Sequence, residues 1–524
     1  MLEGAIGSFQ VVEEELVKRF AEAEVLVTPE ALEFLKTLDD PLGFVGKVLD
    51  EGKKRNLFMI EKSFVQELCE IKEEGKIPLP VEVRRSPDFK PLAKEWAPEL
   101  KFIDRNDVTG KSRCKGKVED FVTCFRDRLT RTRKLIEARG GEGVVMSNAL
   151  KGMTGGRDLR VCGLVTSKRE TKKADLLLEI EDEEGITKLW VGKGRNEKER
   201  ACFESAKNLL LDEVVAIKGK ISTNANFNLM IAEEVIWPDV PIRTAKVIEK
   251  PVSVAFISDL HVGSKLFLEK QFGSFIQWLN GEVGGQAGKE AAGKVKYLVV
   301  AGDVVDGIGI YPKQEKELIV RDIFEQYSMC AKFFEAVPDY IEVIVAPGNH
   351  DAVRRAEPQP SIPKEVADSL NRIGNVHLVG NPSMAEIEGF KTLIYHGTSL
   401  DSIIAGLPGM SYACPEKPMV ELIRRRNLSP LFGENPIVPE PRDYMVIEDL
   451  PDIVHMGHVH KNGYDKYRGI VVINSGTWQA RTEFQVKQGH MPSPCILPTY
   501  DLRRGEITVM DFNEKPAQPG GAQQ

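Results

Sequence analysis

Residues 259–261 read Asp-Leu-His, residues 302–307 read Gly-Asp-Val-Val-Asp-Gly, and residues 348–351 read Gly-Asn-His-Asp. Further along, His396 closes the apolar run LIYH, and His458 and His460 close HMGHVH. Carboxylates, imidazoles and an amide are ligands for divalent cations, and this mixture suits manganese, iron or zinc better than calcium or an all-thiolate site. Asp259, His261, Asp303, Asn349, His396, His458 and His460 make about seven ligands, too many for one ion and suited to two ions sharing a carboxylate. A two-metal site clamps the attacking and leaving oxygens of phosphoryl transfer and acidifies a bridging water. Phosphoester hydrolysis is the chemistry that such a set serves.

A strand-terminal Asp or His alone is usually a cap or a satisfied polar group. Here five such motifs recur in order, each at the end of a β-type run: VAFIS, YLVVA, EVIVAP, LIY and DIVHM. In an open α/β sheet ligands bind beyond the carboxyl ends of the strands, so loops distant in sequence can converge there. Gly302, Gly348 and Gly457 let the backbone turn tightly and approach a bound group. Strand alternation is expected to aim Asp259 and His261 to the same side. All eight histidines lie between His261 and His490, so imidazole chemistry belongs to the second half of the chain.

The elements that must position these residues change character along the chain. Residues 1–75 read as a small helical domain, with TPEALEFLKTL opening on a Thr cap. Residues 76–144 read as a proline-rich linker and a basic segment. Prolines at 78, 80, 87, 91 and 98 predict an extended tether. From Lys101 to Arg139, twelve Lys or Arg stand against six Asp or Glu, which fits either a solvated helix face or a nucleic-acid or partner surface. Residues 145–245 give five short strands with the helix NEKERACFESAKNLLL between the third and fourth. That is the pattern of an oligonucleotide/oligosaccharide-binding (OB) β-barrel, or of a generic small barrel. Trp190 and Trp237 in this region are candidate base-stacking platforms, but their apolar neighbours favour packing. Residues 250–512 alternate strands and helices, an α/β domain expected to form two sheets with helices outside. Residues 513–524, rich in Pro, Gly and Gln, read as a disordered tail.

At 524 residues the chain exceeds one hydrophobic core, and a net charge of −8 excludes a surface coated in phosphate-binding cations. The sequence has no apolar run long enough to span a bilayer, and its acidic, amphipathic start is not a signal peptide. Eight cysteines without a C-x-x-C pair argue against a disulfide framework or zinc ribbon. A cytoplasmic protein with reduced thiols is expected.

The order D-x-H, G-D-x-x-D, G-N-H-D, H and G-H-x-H resembles the calcineurin-like metallophosphoesterases over about residues 250–500. With a barrel directly before it, and with DVTGKSRCKGKVEDFVTCFRDR, VAPGNHDAVRRAEPQP and DIVHMGHVHKNGYDKYRGIVVINSGTWQARTEFQ, nearly the whole chain resembles the small, exonuclease subunits of the archaeal family-D DNA polymerases. The resemblance implies that Asp259, His261 and His460 hold a first metal, that Asn349, His396 and His458 hold a second, and that Asp303 bridges. It implies that His350 steadies the phosphate or protonates the leaving 3′ oxygen, with Asp351 orienting its ring. Two divalent ions, Mn2+ ahead of Mg2+, Fe2+ or Zn2+, would then serve a 3′–5′ exonuclease acting on single-stranded or primer 3′ ends. A separate large subunit would carry the polymerising site. The alternatives are a non-catalytic docking subunit and a stand-alone metallophosphodiesterase.

The remaining candidates have plainer readings. TGKS at 109–112 ends like a phosphate-binding loop but has Arg105 where that motif needs glycine. His455 reads as a packed strand residue, and His377 and His490 as surface residues without acidic or imidazole neighbours. Asp306 reads as a residue that caps or hydrogen-bonds within its loop, and Arg354 and Arg355 either meet the DNA backbone or lie on a solvated turn.

Overall fold

The structure, a computed structural model, describes residues 15–23, 25–38, 41–54, 57–66, 68, 88–140, 143–153, 158–222 and 229–513. The first three of the five linker prolines, and the tail from 514, lie outside the described residues. The chain divides into two compact units, residues 1–79 and 80–524.

In the first unit Thr28 caps the helix Pro29–Lys36 by accepting a hydrogen bond from the Ala31 amide at 3.2 Å, as the sequence predicts. This helix and Pro41–Lys54 pack with a parallel pair, β1 (Leu26–Val27) and β2 (Met59–Ile60), around Leu35, Val45, Val48 and Ile60. The strand pair is an addition to the helical reading.

The second unit begins with β3 (Leu100–Phe102) and the helix Val118–Glu137. A closed five-stranded barrel follows: β4 (Asp158–Glu170), β5 (Leu176–Asp182), β6 (Gly185–Val191), β7 (Val214–Ile221) and β8 (Leu229–Ile236), in the order β4-β5-β6-β8-β7. The helix Glu197–Lys207 lies between β6 and β7, where the sequence put it. Trp237 is buried, donates to Glu213 Oε2 at 3.2 Å and lies under the Arg424 guanidinium, so it packs and presents no free face to a base.

The rest forms two six-stranded sheets from β9 (Ser253–Ile257), β10 (Val295–Ala301), β11 (Glu342–Ala346), β12 (Val376–Leu378), β13 (Ser383–Ile387), β14 (Phe390–Ile394), β15 (Ile453–Met456), β16 (Asn462–Tyr467), β17 (Ile470–Ser475), β18 (Ile496–Asp501) and β19 (Glu506–Asp511). The orders are β12-β11-β10-β9-β18-β19 and β16-β17-β15-β14-β13-β3. Strands β9 to β12 are parallel to one another, as are β14, β15 and β17. Val254, Phe256, Val299 and Val345 of one sheet share a buried core with Ile387, Ile394, Ile453 and Ile473 of the other. Such strands are covered on both faces, which is why β9 and β10 are apolar without alternation.

The described part of the 76–144 segment is in part built into the fold of the second unit. β3 pairs antiparallel with β13 at the edge of the second sheet. Arg105 donates to Asp449 Oδ2 at 2.9 Å. On the helix Val118–Glu137, Arg128 is 2% exposed and pairs with Asp443 at 2.6 Å, while Leu129 and Ile136 pack on Cys162 and Ala216 of the barrel. Four of the twelve cations of this stretch, Arg105, Arg128, Arg131 and Arg133, meet carboxylates elsewhere in the same unit, whereas Lys101, Arg113, Lys115, Lys117, Arg126, Lys134 and Arg139 are exposed.

Candidate metal centre

Three loops leaving β9, β10 and β11 and two leaving β14 and β15 meet at one end of the paired sheets. Strand alternation is not what aims Asp259 and His261 together. Both lie beyond β9 in the left-handed backbone region, at φ of 52° and 53°, and Asp303, His458 and His460 share that conformation. Five non-glycine residues in a region that L side chains rarely adopt amount to backbone strain held by the surrounding fold, a common property of functional sites. The strain is supported by hydrogen bonds between loops: Asp259 N donates to Gly302 O at 2.9 Å and His261 N to Asp303 O at 3.0 Å. Gly348 and Gly457 are required for closeness, because a Cβ would lie 2.2 Å from Asp303 Oδ1 and 2.3 Å from Asp259 Oδ2 respectively.

The seven candidate ligands gather into two adjoining groups. In the first, His460 Nε2 lies 3.4 Å from Asp259 Oδ1 and 3.1 Å from His261 Nε2, which is itself 3.8 Å from Asp303 Oδ2. In the second, His396 Nε2 lies 2.9 Å from Asn349 Oδ1 and 3.3 Å from Asp303 Oδ2, and Asn349 Oδ1 is 3.1 Å from His458 Nδ1. Asp303 belongs to both. Ligand atoms of Asp259, His261 and His460, and of Asp259, Asp303 and His396, converge closely enough to hold an ion.

The chemistry of the donors fits cations. His396 Nδ1 is 2.8 Å from Ala301 O, which can only accept, so Nδ1 carries the hydrogen and Nε2 is the nitrogen turned inward. His261 Nδ1 donates to Asp306 Oδ1 at 3.1 Å, again leaving Nε2 inward, and His458 Nε2 donates to Asp401 Oδ2 at 3.0 Å, leaving Nδ1 inward. Burial disfavours a charged His396, yet the Asp303 and Asp259 carboxylates beside it hold its pKa up at about 10. Burial likewise resists ionisation of Asp303, but the imidazoles of His396, His350 and His261 keep its carboxyl well below the usual range. A buried set that draws protons so strongly between carboxylates is one where a divalent cation can replace them.

His350 sits beside this set, its ring edge-on to His261 at 4.6 Å between centroids. Its Nδ1 donates to Asp306 O at 2.8 Å and its backbone amide to Asp303 Oδ1 at 2.8 Å. Asp351 does not orient this ring, contrary to expectation. Its carboxylate turns away and accepts from Gly348 N, Tyr327 Oη and the Val304 and Val305 amides, so it braces the loops after β10 and β11.

Residues 252–470 match the calcineurin-like phosphoesterase family model. Over 457 residues the chain is 42% identical to a DNA polymerase II small subunit of Archaeoglobus fulgidus, covering 87% of this chain and 89% of the relative. It is 36% identical over 515 residues to the same-named protein of Methanothermobacter thermautotrophicus, covering 95% and 100%, and 38% identical over 461 residues to that of Pyrococcus abyssi, covering 86% and 73%. The chain belongs to the archaeal DNA polymerase II small-subunit family.

Around this small subunit's site stand residues that sequence reasoning missed. Asp401 bonds His458 on one side and Tyr412 Oη on the other, and Gln485 Nε2 is 2.9 Å from His460 Nδ1. Asp306, expected to cap or hydrogen-bond within its loop, is held by Gln314 and Gln479 behind His261. Asp401, in the first turn of the helix Leu400–Gly406, looks like an ordinary helix-start acid, and Gln485 looks like the third residue of an ordinary capping box opened by Thr482. His455 is packed, as expected. His377 and His490 are corrections: each is half-buried, His377 lies 2.7 Å from Glu342 Oε2, and His490 Nε2 donates to Val459 O at 2.7 Å, between two candidate ligands. No helix among the described residues is long and apolar enough to cross a membrane.

Proposed function

We propose that the chain is the nuclease-bearing small subunit of a heteromeric archaeal replicative DNA polymerase, acting in the cytoplasm as a 3′–5′ exonuclease at single-stranded or primer 3′ ends. The observation that carries this reading is the pair of ligand groups sharing Asp303 with His350 at their side. Asp259, His261 and His460 would hold one divalent ion and Asn349, His396 and His458 the other, with manganese favoured by the mixed donors. Bound there, two divalent cations supply Lewis acidity and charge neutralisation for phosphodiester hydrolysis. His350, its Nδ1 hydrogen held by Asp306 O, keeps Nε2 free, and as the imidazolium, with a second proton on Nε2, it would steady a phosphate oxygen or hand that proton to the departing 3′ oxygen. The barrel is read as an OB module for nucleic acid, and the relatives' name supports a large polymerase subunit as partner.

The test is a 5′-labelled single strand incubated with purified chain and Mn2+. Stepwise shortening from the 3′ end is expected, with His350→Ala slower by about 10²- to 10⁴-fold, the usual contribution of a positioned proton donor. A strand left intact with Mn2+, Mg2+, Fe2+ and Zn2+, or a His350→Ala variant as fast as the wild type, overturns the reading.

A further inference from the structure

Arg354 and Arg355 follow the Gly-Asn-His-Asp loop directly, and the fold gives them different employment. Arg354 is consumed internally: its guanidinium donates to Pro358 O, to Ser112 Oγ at 2.9 Å and to Glu440 Oε1 at 3.2 Å. Arg355 is exposed, and one nitrogen, Nη2, is fixed by the carbonyls of Gly309 at 2.9 Å and Ile310 at 2.7 Å. Arg355 also lines a cavity of about 210 Å³ together with Ile310, Asn349, Glu357, Thr398 and Pro436. Asn349 ties the cavity to the second ligand group, since its Oδ1 faces His396 and His458. In the same lining Glu357, 1% exposed, accepts from Thr398 Oγ1 at 2.5 Å and from Tyr395 Oη at 2.9 Å. With its one hydrogen directed to Glu357, the Thr398 hydroxyl offers an incoming group only lone pairs.

We propose that this cavity seats the 3′-terminal sugar of a DNA strand, with Arg355 holding a backbone phosphate and Thr398 accepting a hydrogen bond from the terminal 3′-hydroxyl. The assignment rests on the exonuclease reading above and adds its substrate subsite. A planar guanidinium with one nitrogen pre-fixed is suited to a phosphate. An acceptor-only hydroxyl on a buried carboxylate suits a sugar hydroxyl donor, and Ile310 and Pro436 supply apolar walls for the sugar ring. The cavity is smaller than the ~300–1,000 Å³ typical of pockets that enclose a whole drug-sized ligand, so the base stays outside and goes unread. Preference would therefore fall on the sugar end and not on base identity, as removal of any terminal nucleotide requires.

The experiment uses the full chain, Mn2+ and 5′-labelled single strands ending in 3′-OH or 3′-H, each with all four terminal bases. Wild type is expected to prefer 3′-OH ends by about tenfold, the scale of one hydrogen bond lost, with little dependence on the base. Thr398→Val should flatten that ratio. Arg355→Ala should raise KM by about tenfold or more, the scale of a charge-assisted contact, with a smaller change in kcat. Arg355 is on the surface, so its variant should fold, and anisotropy of a labelled 3′-OH strand in Ca2+ reads its binding without hydrolysis. Hydrolysis by wild type with an unchanged end ratio in Thr398→Val and unchanged KM and binding in Arg355→Ala would overturn this subsite alone. Absence of hydrolysis by wild type would overturn the exonuclease reading and this one with it.

Discussion

Among single residues, the sharpest division is between groups turned into the metal set and groups holding them from behind. Asp306 is close enough to His261 and His350 to be counted as a ligand, yet its Oδ1 meets His261 on Nδ1, the nitrogen facing away from Asp303 and His460. Its other oxygen accepts from Gln314 Nε2 at 2.9 Å. The geometry makes it the group that fixes the tautomer and direction of His261. Asp306→Ala should therefore weaken metal affinity by about 10- to 100-fold while saturating Mn2+ restores most of the turnover, as loss of an outer partner does. A titration of nuclease rate against Mn2+ checks this, and a variant that no metal concentration rescues would make Asp306 a ligand. The inward-facing candidate donors could be picked from the sequence because strand-exit motifs place them locally. The outer partners were not, because Asp401 and Gln485 reach their imidazoles from 57 and 25 residues away, a distance no motif records.

At the level of elements, strand β15 carries a histidine through the core immediately before the ligand loop. His455 is fully buried, with its ring edge-on to Phe256 and Nε2 2.9 Å from Ser475 Oγ, while Nδ1 has no hydrogen-bond partner. Burial pushes its pKa down to about 3, only slightly opposed by Asp259. The unfolded chain takes up this proton near pH 6.5 and the folded chain does not, so the stability present above 6.5 is lost as pH falls from 6.5 toward 3. The slope from this residue is about 1.4 kcal/mol per pH unit in that window. His455→Leu should remove that component, flattening the urea midpoint between pH 7 and pH 5 relative to wild type. An unchanged pH slope would clear His455 of the effect. That the strand is buried was visible in its apolar run. The left-handed residues beyond the strand ends were not visible, because Asp and His, although enriched there among non-glycine residues, still adopt a positive φ in only a small minority of cases.

For the whole molecule, the decisive question is where the phosphoesterase-bearing unit begins. Positive charge sets the stretch through residue 144 apart from the sheets, but charge is a local signal and the partners of several of those cations lie some 300 residues away. Arg105 meets Asp449, Arg128 meets Asp443 and Arg131 reaches Glu448, while Glu440 accepts from the backbone amides of Arg113 and Cys114. Charge counting sees a basic stretch, whereas the fold contains matched pairs, one of them buried between Val118–Glu137 and the sheets. The barrel is joined to the sheets in the same way, through Arg425 between Glu213 Oε2 at 2.7 Å and Asn208 O at 2.6 Å. A chain of residues 80–524 should therefore melt cooperatively and shorten a 3′ end at the full-length rate, since it retains its own core and every one of these pairs. A chain of residues 143–524 strips the partner from the buried Asp443, a loss of about 3–5 kcal/mol for that pair alone, and also removes β3 from its sheet. It should unfold or aggregate where the longer fragment is stable. Matching denaturation curves for the two fragments would return residues 80–142 to the role of a tether. A 143–524 fragment that unfolds beside a stable 80–524 would show that the basic helix is part of the enzyme's frame.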